Sequence, residues 1–89
     1  MYYVYMLRCR DGSVYTGIAS DIQKRMKIHF EGGRGESKYV RSHGAEKLEI
    51  FWEVESKGDA LRLEKKIKGL KKQEKEALIL QGSDTPPVI

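Results

Sequence analysis

Residues 2–9, YYVYMLRC, are apolar in both of the alternating sets that a strand would form. Tyr3, Tyr5 and Leu7 point one way; Tyr2, Val4 and Met6 point the other. A strand that is apolar on both faces belongs inside a sheet with cover above and below. The chain has 89 residues, which allows one domain to supply that cover. The next residues, Arg10-Asp11-Gly12-Ser13, carry the Asp-Gly pair that tight hairpins favour. Val14 to Ile18 then reads as the returning strand, with Gly17 marking a bend or a close approach to the backbone.

The rest of the chain predicts helices around one more strand. Ser20 is the expected N-cap of a helix that reaches Phe30 or Glu31, with Asp21 in its first turn. Ile22, Met26 and Phe30 form its expected buried stripe. Gly32-Gly33-Arg34-Gly35 is a flexible basic loop, and Ser37 to His43 suggests a short helical turn. Lys47 to Val54 alternates as a half-exposed strand, with Leu48, Ile50, Trp52 and Val54 on one face. A helix from Ala60 to about Leu70 buries Ala60, Leu63, Ile67 and Leu70, and a last helix covers Gln73 to Leu80. The order is β-β-α-β-α-α, an α+β fold with a small, mainly antiparallel three-stranded sheet. Residues 1–80 are the expected domain and 81–89 a frayed tail.

Charge narrows the partners. Seventeen Lys and Arg against 13 Asp and Glu leave a net +4, compatible with a polyanion. Six lysines crowd one stretch, at Lys65, Lys66, Lys68, Lys71, Lys72 and Lys75, with Glu74 as the acid among them. Such a run is as much a solvated helix face as a phosphate footprint. No apolar run approaches the roughly 20 residues that span a bilayer, and no signal-peptide pattern stands at the N-terminus. One cysteine, Cys9, excludes an internal disulfide and a cysteine-built zinc cluster. A cytoplasmic protein without a membrane partner is the expectation.

Three groups of residues could carry chemistry. Tyr5 and Tyr15 sit on neighbouring strands across the turn, where a hydroxyl can bond a phosphate or act as a base if its pKa falls. Arg25 and His29, four apart on the first helix, lie beside its buried stripe, where they could hold a phosphate and a water. Glu64 falls between apolar neighbours on the later helix, where an unpaired carboxylate is costly. A divalent cation would relieve that cost, and so would an ion pair with Lys68 or Arg25. Each group, taken singly, is as well explained by ordinary packing or pairing.

Their order changes the balance. Tyr3-Val4-Tyr5, Tyr15-Thr16-Gly17, then Arg25 and His29, then Glu64 closely resembles the pattern of GIY-YIG endonucleases. Lys38-Tyr39 after the glycine loop and the stretch from Ala60 to Lys68 agree. The resemblance covers about residues 2–80 and is greatest to small stand-alone bacterial members. It implies the GIY-YIG fold, a three-stranded antiparallel sheet flanked by helices. It also implies hydrolysis of a nucleic-acid phosphodiester with one divalent metal, Mg2+ or Mn2+, held by Glu64. Arg25 would clamp the phosphate; Tyr5 would stand ahead as general base or water-orienting group, with Tyr15 hydrogen-bonding at the same site, two roles that could be exchanged. His29 would support the water or Tyr5, while Gly17, Lys38, Lys65 and Lys68 would meet the nucleic acid. DNA stands ahead of RNA as substrate, with a link to repair or recombination. Tyr3 replaces the first glycine of the family signature. With no extra specificity domain, targeting falls to the domain, a homodimer or a protein partner. The alternative is a binding module or adaptor with little or no catalysis.

Overall fold

The computed structural model describes residues 1–82; the expected tail lies outside them except for Gln81 and Gly82. Strand β1 (Tyr2–Cys9) turns through residues 10–13 into β2 (Val14–Ala19). Helices α1 (Ile22–Glu31) and α2 (Lys38–His43) follow, then β3 (Ala45–Val54), α3 (Lys57–Lys68) and α4 (Lys72–Gln81). The strands order as β2-β1-β3, antiparallel throughout. The doubly apolar strand is therefore the central one, as its sequence requires.

Each face of β1 has its own core. Val4 and Met6 join Trp52 of β3 and Ala60, Leu63 and Ile67 of α3 on one side, where Leu78 and Ile79 of α4 add to the cover. Tyr5 and Leu7 join Ala19 and Val40 on the other, with Ile22 and Met26 of α1 packed against them. Cys9 is buried, and that burial pushes its thiol pKa up, so it is a packing residue.

Several expectations shift by one to three residues. The N-cap of α1 is Asp21, not Ser20, because the Asp21 carboxylate accepts from Lys24 N–H. Ser56 caps α3 in the same way, which starts that helix at Lys57 instead of Ala60. Phe30 does not continue the buried stripe: it is 46% exposed, and His29 takes the inward place. In β3, Ile50 pairs with Met6 but Leu48 pairs with Leu7, so the register slips past Glu49. That bulge turns Leu48 to the α1 face, away from Ile50, Trp52 and Val54.

The bulge also sets a polar clasp. Arg8 Nε donates to Glu49 at 2.9 Å, and its two terminal nitrogens donate to Glu76 of α4 at 2.6 Å each. These bonds tie α4 to the sheet and hold the Glu76 carboxyl down to about 2. Arg8→Met should destabilise the fold by about 2 kcal/mol, since charged hydrogen bonds are worth that much and the two carboxylates keep only exposed lysines as partners. A carboxyl with a lowered folded pKa stabilises above its ordinary value and stops doing so as pH falls towards the folded one. Urea titrations should therefore show the gap between wild type and Arg8→Met closing below about pH 4.5.

Candidate active site

The hairpin between β1 and β2 pairs Tyr5 with Gly17 and Leu7 with Tyr15. Both tyrosines face α1 and α2, with ring centroids 6.2 Å apart. Gly17 makes this arrangement fit. A Cβ there would lie 2.5 Å from Tyr5 Oη and 2.9 Å from the Tyr15 ring. The close approach expected at Gly17 is thus made by the Tyr5 phenol.

Tyr5 is 0% exposed, and its hydroxyl lies 2.6 Å from His29 Nε2. The other imidazole nitrogen, Nδ1, lies 2.7 Å from Glu36 Oε1, and that carboxylate also accepts from Ser37 N–H at 2.8 Å. The Glu36 side chain is 6% exposed. Sequence reasoning missed Glu36, which stands in the irregular stretch between α1 and α2 and has no periodic signal. Positive backbone angles at Gly32, Gly33 and Gly35 fold that stretch back beneath α1. The Gly35 carbonyl accepts from Arg25 Nη1 at 2.7 Å, so the glycine loop is bonded into the site. Arg25 Nε donates to Tyr5 Oη at 3.4 Å.

The protonation pattern follows from the partners. A carboxylate only accepts, so Nδ1 facing Glu36 carries a proton. Burial lowers the His29 pKa, against the opposing pull of Glu36, which keeps the ring neutral at pH 7 with Nε2 bare. Tyr5 then donates to Nε2 and accepts from Arg25. Burial pushes the Tyr5 pKa up to about 12, with Arg25 opposing. The condition under which a tyrosine alone acts as a base, a lowered pKa, is therefore not met at Tyr5. Tyr5 holds its proton at rest and has a base beside it to take it.

The carboxylate on α3 reaches this group indirectly. Glu64 pairs with Lys68 at 3.3 Å, one turn along the helix, which is one of the two ion pairs weighed from the sequence. Lys68 Nζ also stands 5.8 Å from the Tyr15 ring centroid. Tyr5, Tyr15, Arg25 and His29 thus form one cluster, with Lys68 linking Glu64 to its rim. Lys38 and Lys65 are exposed and make no bond to it. Among the described residues no three His, Cys, Asp or Glu converge on one point. A hard cation would have Glu64 as its protein ligand and complete its shell with water and phosphate oxygens. The donor chemistry fits, since Glu64 already holds one cationic group, and Lys68 is exposed enough to swing aside.

Comparison with known proteins gives the chain a family and its fold a counterpart. Residues 1–77 match the family described as the GIY-YIG catalytic domain. A UPF0213 protein of Halalkalibacterium halodurans is 42% identical over 78 residues, covering 88% of this chain and 81% of that one. A UPF0213 protein of Fusobacterium nucleatum is 45% identical over 78 residues, covering 88% and 76%. The solution structure of the UPF0213 protein from Bacillus halodurans superposes with a TM-score of 0.59 over 93% of this chain and 88% of that one, at 42% identity. Among the described residues no helix is long and apolar enough to cross a membrane.

A buried neutral histidine has a stability signature. Its lowered pKa means the unfolded chain binds a proton first as pH falls. Stability should therefore be full above about pH 7 and decline as pH drops below the ordinary histidine value of about 6.5. His29→Gln should flatten that decline in thermal melts between pH 7 and 5, leaving only the carboxylate-driven loss at lower pH.

Proposed function

The chain belongs to the GIY-YIG catalytic domain family, a nuclease superfamily, and from that premise we propose that it hydrolyses a phosphodiester bond in nucleic acid with one divalent cation. The observation that carries the reading is the hydrogen-bonded chain Tyr5–His29–Glu36, with Arg25 on the Tyr5 hydroxyl. A tyrosine that only packs a sheet needs no buried base at 2.6 Å.

The chain of bonds supplies a proton path. As Arg25 turns from the Tyr5 hydroxyl to the phosphate, a water takes its place at the Tyr5 oxygen and passes a proton to it as the Tyr5 proton moves to His29 Nε2. The water oxygen bonds to phosphorus, the bond to the leaving sugar oxygen breaks, and that oxygen takes a proton from solvent. Glu36 holds the imidazole in the accepting tautomer and stabilises the imidazolium that forms, as the carboxylate of a hydrolase triad does. Arg25 stabilises charge on the non-bridging oxygens. Mg2+ or Mn2+ on Glu64 would add Lewis-acid stabilisation of the same developing charge. Tyr15, half-buried beside His29 with centroids 5.8 Å apart, supplies a second hydroxyl at the rim. DNA is the proposed substrate ahead of RNA, in a cytoplasmic setting tied to repair or recombination.

Incubating the purified chain with branched, single-stranded and duplex DNA and with RNA, with and without Mg2+ or Mn2+, tests the reading. Cleavage should require the metal and vanish in Glu64→Ala. Tyr5→Phe should slow it by about 10²–10⁴-fold, the usual scale of acid–base assistance. Metal-independent cutting, or full activity in both variants, would refute the assignment.

A further inference from the structure

We propose that the cleft between Tyr39 and α4 is a subsite for one unpaired nucleotide of the strand that enters the Tyr5–His29 site. This rests on the reading of the chain as a nucleic-acid-processing domain and extends it to how the substrate is held.

The aromatic surface of the site continues past Tyr15. Tyr39 stacks on Tyr15, with centroids 5.7 Å apart and planes at 26°. His43 in turn stacks on Tyr39 at 3.9 Å and 7°. Tyr39 nevertheless remains 37% exposed. Facing it, Lys72 and Lys75 of α4 join Ser13 and Val14 to bound an open cleft of about 170 Å³. That space is below the range of a pocket that encloses a whole small ligand. It suits part of a chain-like ligand whose remainder lies outside.

Charge identifies the ligand. Lys75 is half-buried, and its ammonium group makes no hydrogen bond or ion pair among the described residues. Lys72 donates to the Gly12 carbonyl at 2.8 Å and lies 3.4 Å from Glu76. Glu76 is already neutralised by Arg8, and the nearby acid Asp11 stands 3.6 Å from His43. The cleft is therefore positive. Lys68 over the Tyr15 ring continues the positive side towards the site. The lysine-rich stretch thus resolves into two parts, with Lys68, Lys72 and Lys75 flanking the Tyr15–Tyr39 stack. An aromatic ring opposed by ammonium groups recognises a nucleobase and its phosphate. A duplex offers the phosphates but keeps its base faces stacked inside, so the ring is useful for an unpaired nucleotide.

Fluorescence anisotropy in EDTA, which removes cleavage, tests this with a labelled DNA single strand of roughly 12 nucleotides and a blunt duplex of the same sequence. The single strand should bind the tighter. Tyr39→Leu should weaken it about tenfold, the scale of one lost base stack, with an unchanged salt slope. Lys75→Ala should lower the slope of log K against log salt by about 0.7. Lys75 lies on the helix surface, so this variant decides the matter if Tyr39→Leu fails to fold by circular dichroism. Equal affinity for the duplex, or a single strand bound unchanged by Tyr39→Leu and Lys75→Ala, would overturn the subsite while leaving the nuclease reading standing. Binding of neither DNA, with a poly-glutamate peptide bound through the same lysines, would overturn both.

Discussion

The buried hydrogen bond between the Tyr5 hydroxyl and His29 Nε2 is the contact on which the site depends. It joins the central strand to α1 between two buried side chains. Left unmade, each partner would pay the cost of a buried, unsatisfied polar group. Gly17 clears space for the phenol on one side. On the other, the glycine loop brings Glu36 to the far nitrogen of the imidazole and the Gly35 carbonyl to Arg25. The polar cluster is thus held from two sides, by Gly17 and by the glycine loop.

The sheet divides the labour. The face under α3 and α4 is almost wholly apolar and carries the larger core, with Trp52 at its centre. The other face is smaller and mixes Leu7 and Val40 with the polar cluster. A short chain has little stability to spare for buried polar groups. Placing the apolar core on the opposite side of the same strand, with Arg8 clasping α4 to it, lets the domain carry a buried histidine and carboxylate. Lys68 comes from the apolar side and meets the cluster at the Tyr15 ring, with Glu64 paired behind it.

Much of this was legible in the sequence. Two-sided hydrophobicity placed β1 in the middle, and the Asp-Gly turn set the hairpin that aligns Tyr5 with Tyr15. Arg25 and His29 were found beside the buried stripe, although the stripe itself was extended to Phe30, one position past the residue that turns inward. What escaped were features without period. Leu48 alternates correctly with Ile50, yet a bulge at Glu49 reverses its side, and a bulge leaves no mark in a pattern of two. Glu36 follows three glycines whose left-handed angles aim it, and its role depends on a turn that residue types alone do not specify. A carboxylate directly after a glycine-rich turn was the available signal. A tyrosine serves as a base only if its pKa falls, and at Tyr5 burial outweighs Arg25 and raises it, a balance that residue types alone do not show. In the proposed mechanism the proton therefore passes on to histidine.

The direct test of this account is the protonation state of His29 itself. Long-range nitrogen–proton correlation spectra of the uniformly ¹⁵N-labelled chain at neutral pH distinguish the two neutral imidazole tautomers from the cation. A neutral ring with its proton on Nδ1 and a bare Nε2 is the predicted result, and Glu36→Leu should abolish that preference. A proton on Nε2, or an imidazolium at neutral pH, would contradict the account, because His29 could not then accept the Tyr5 proton.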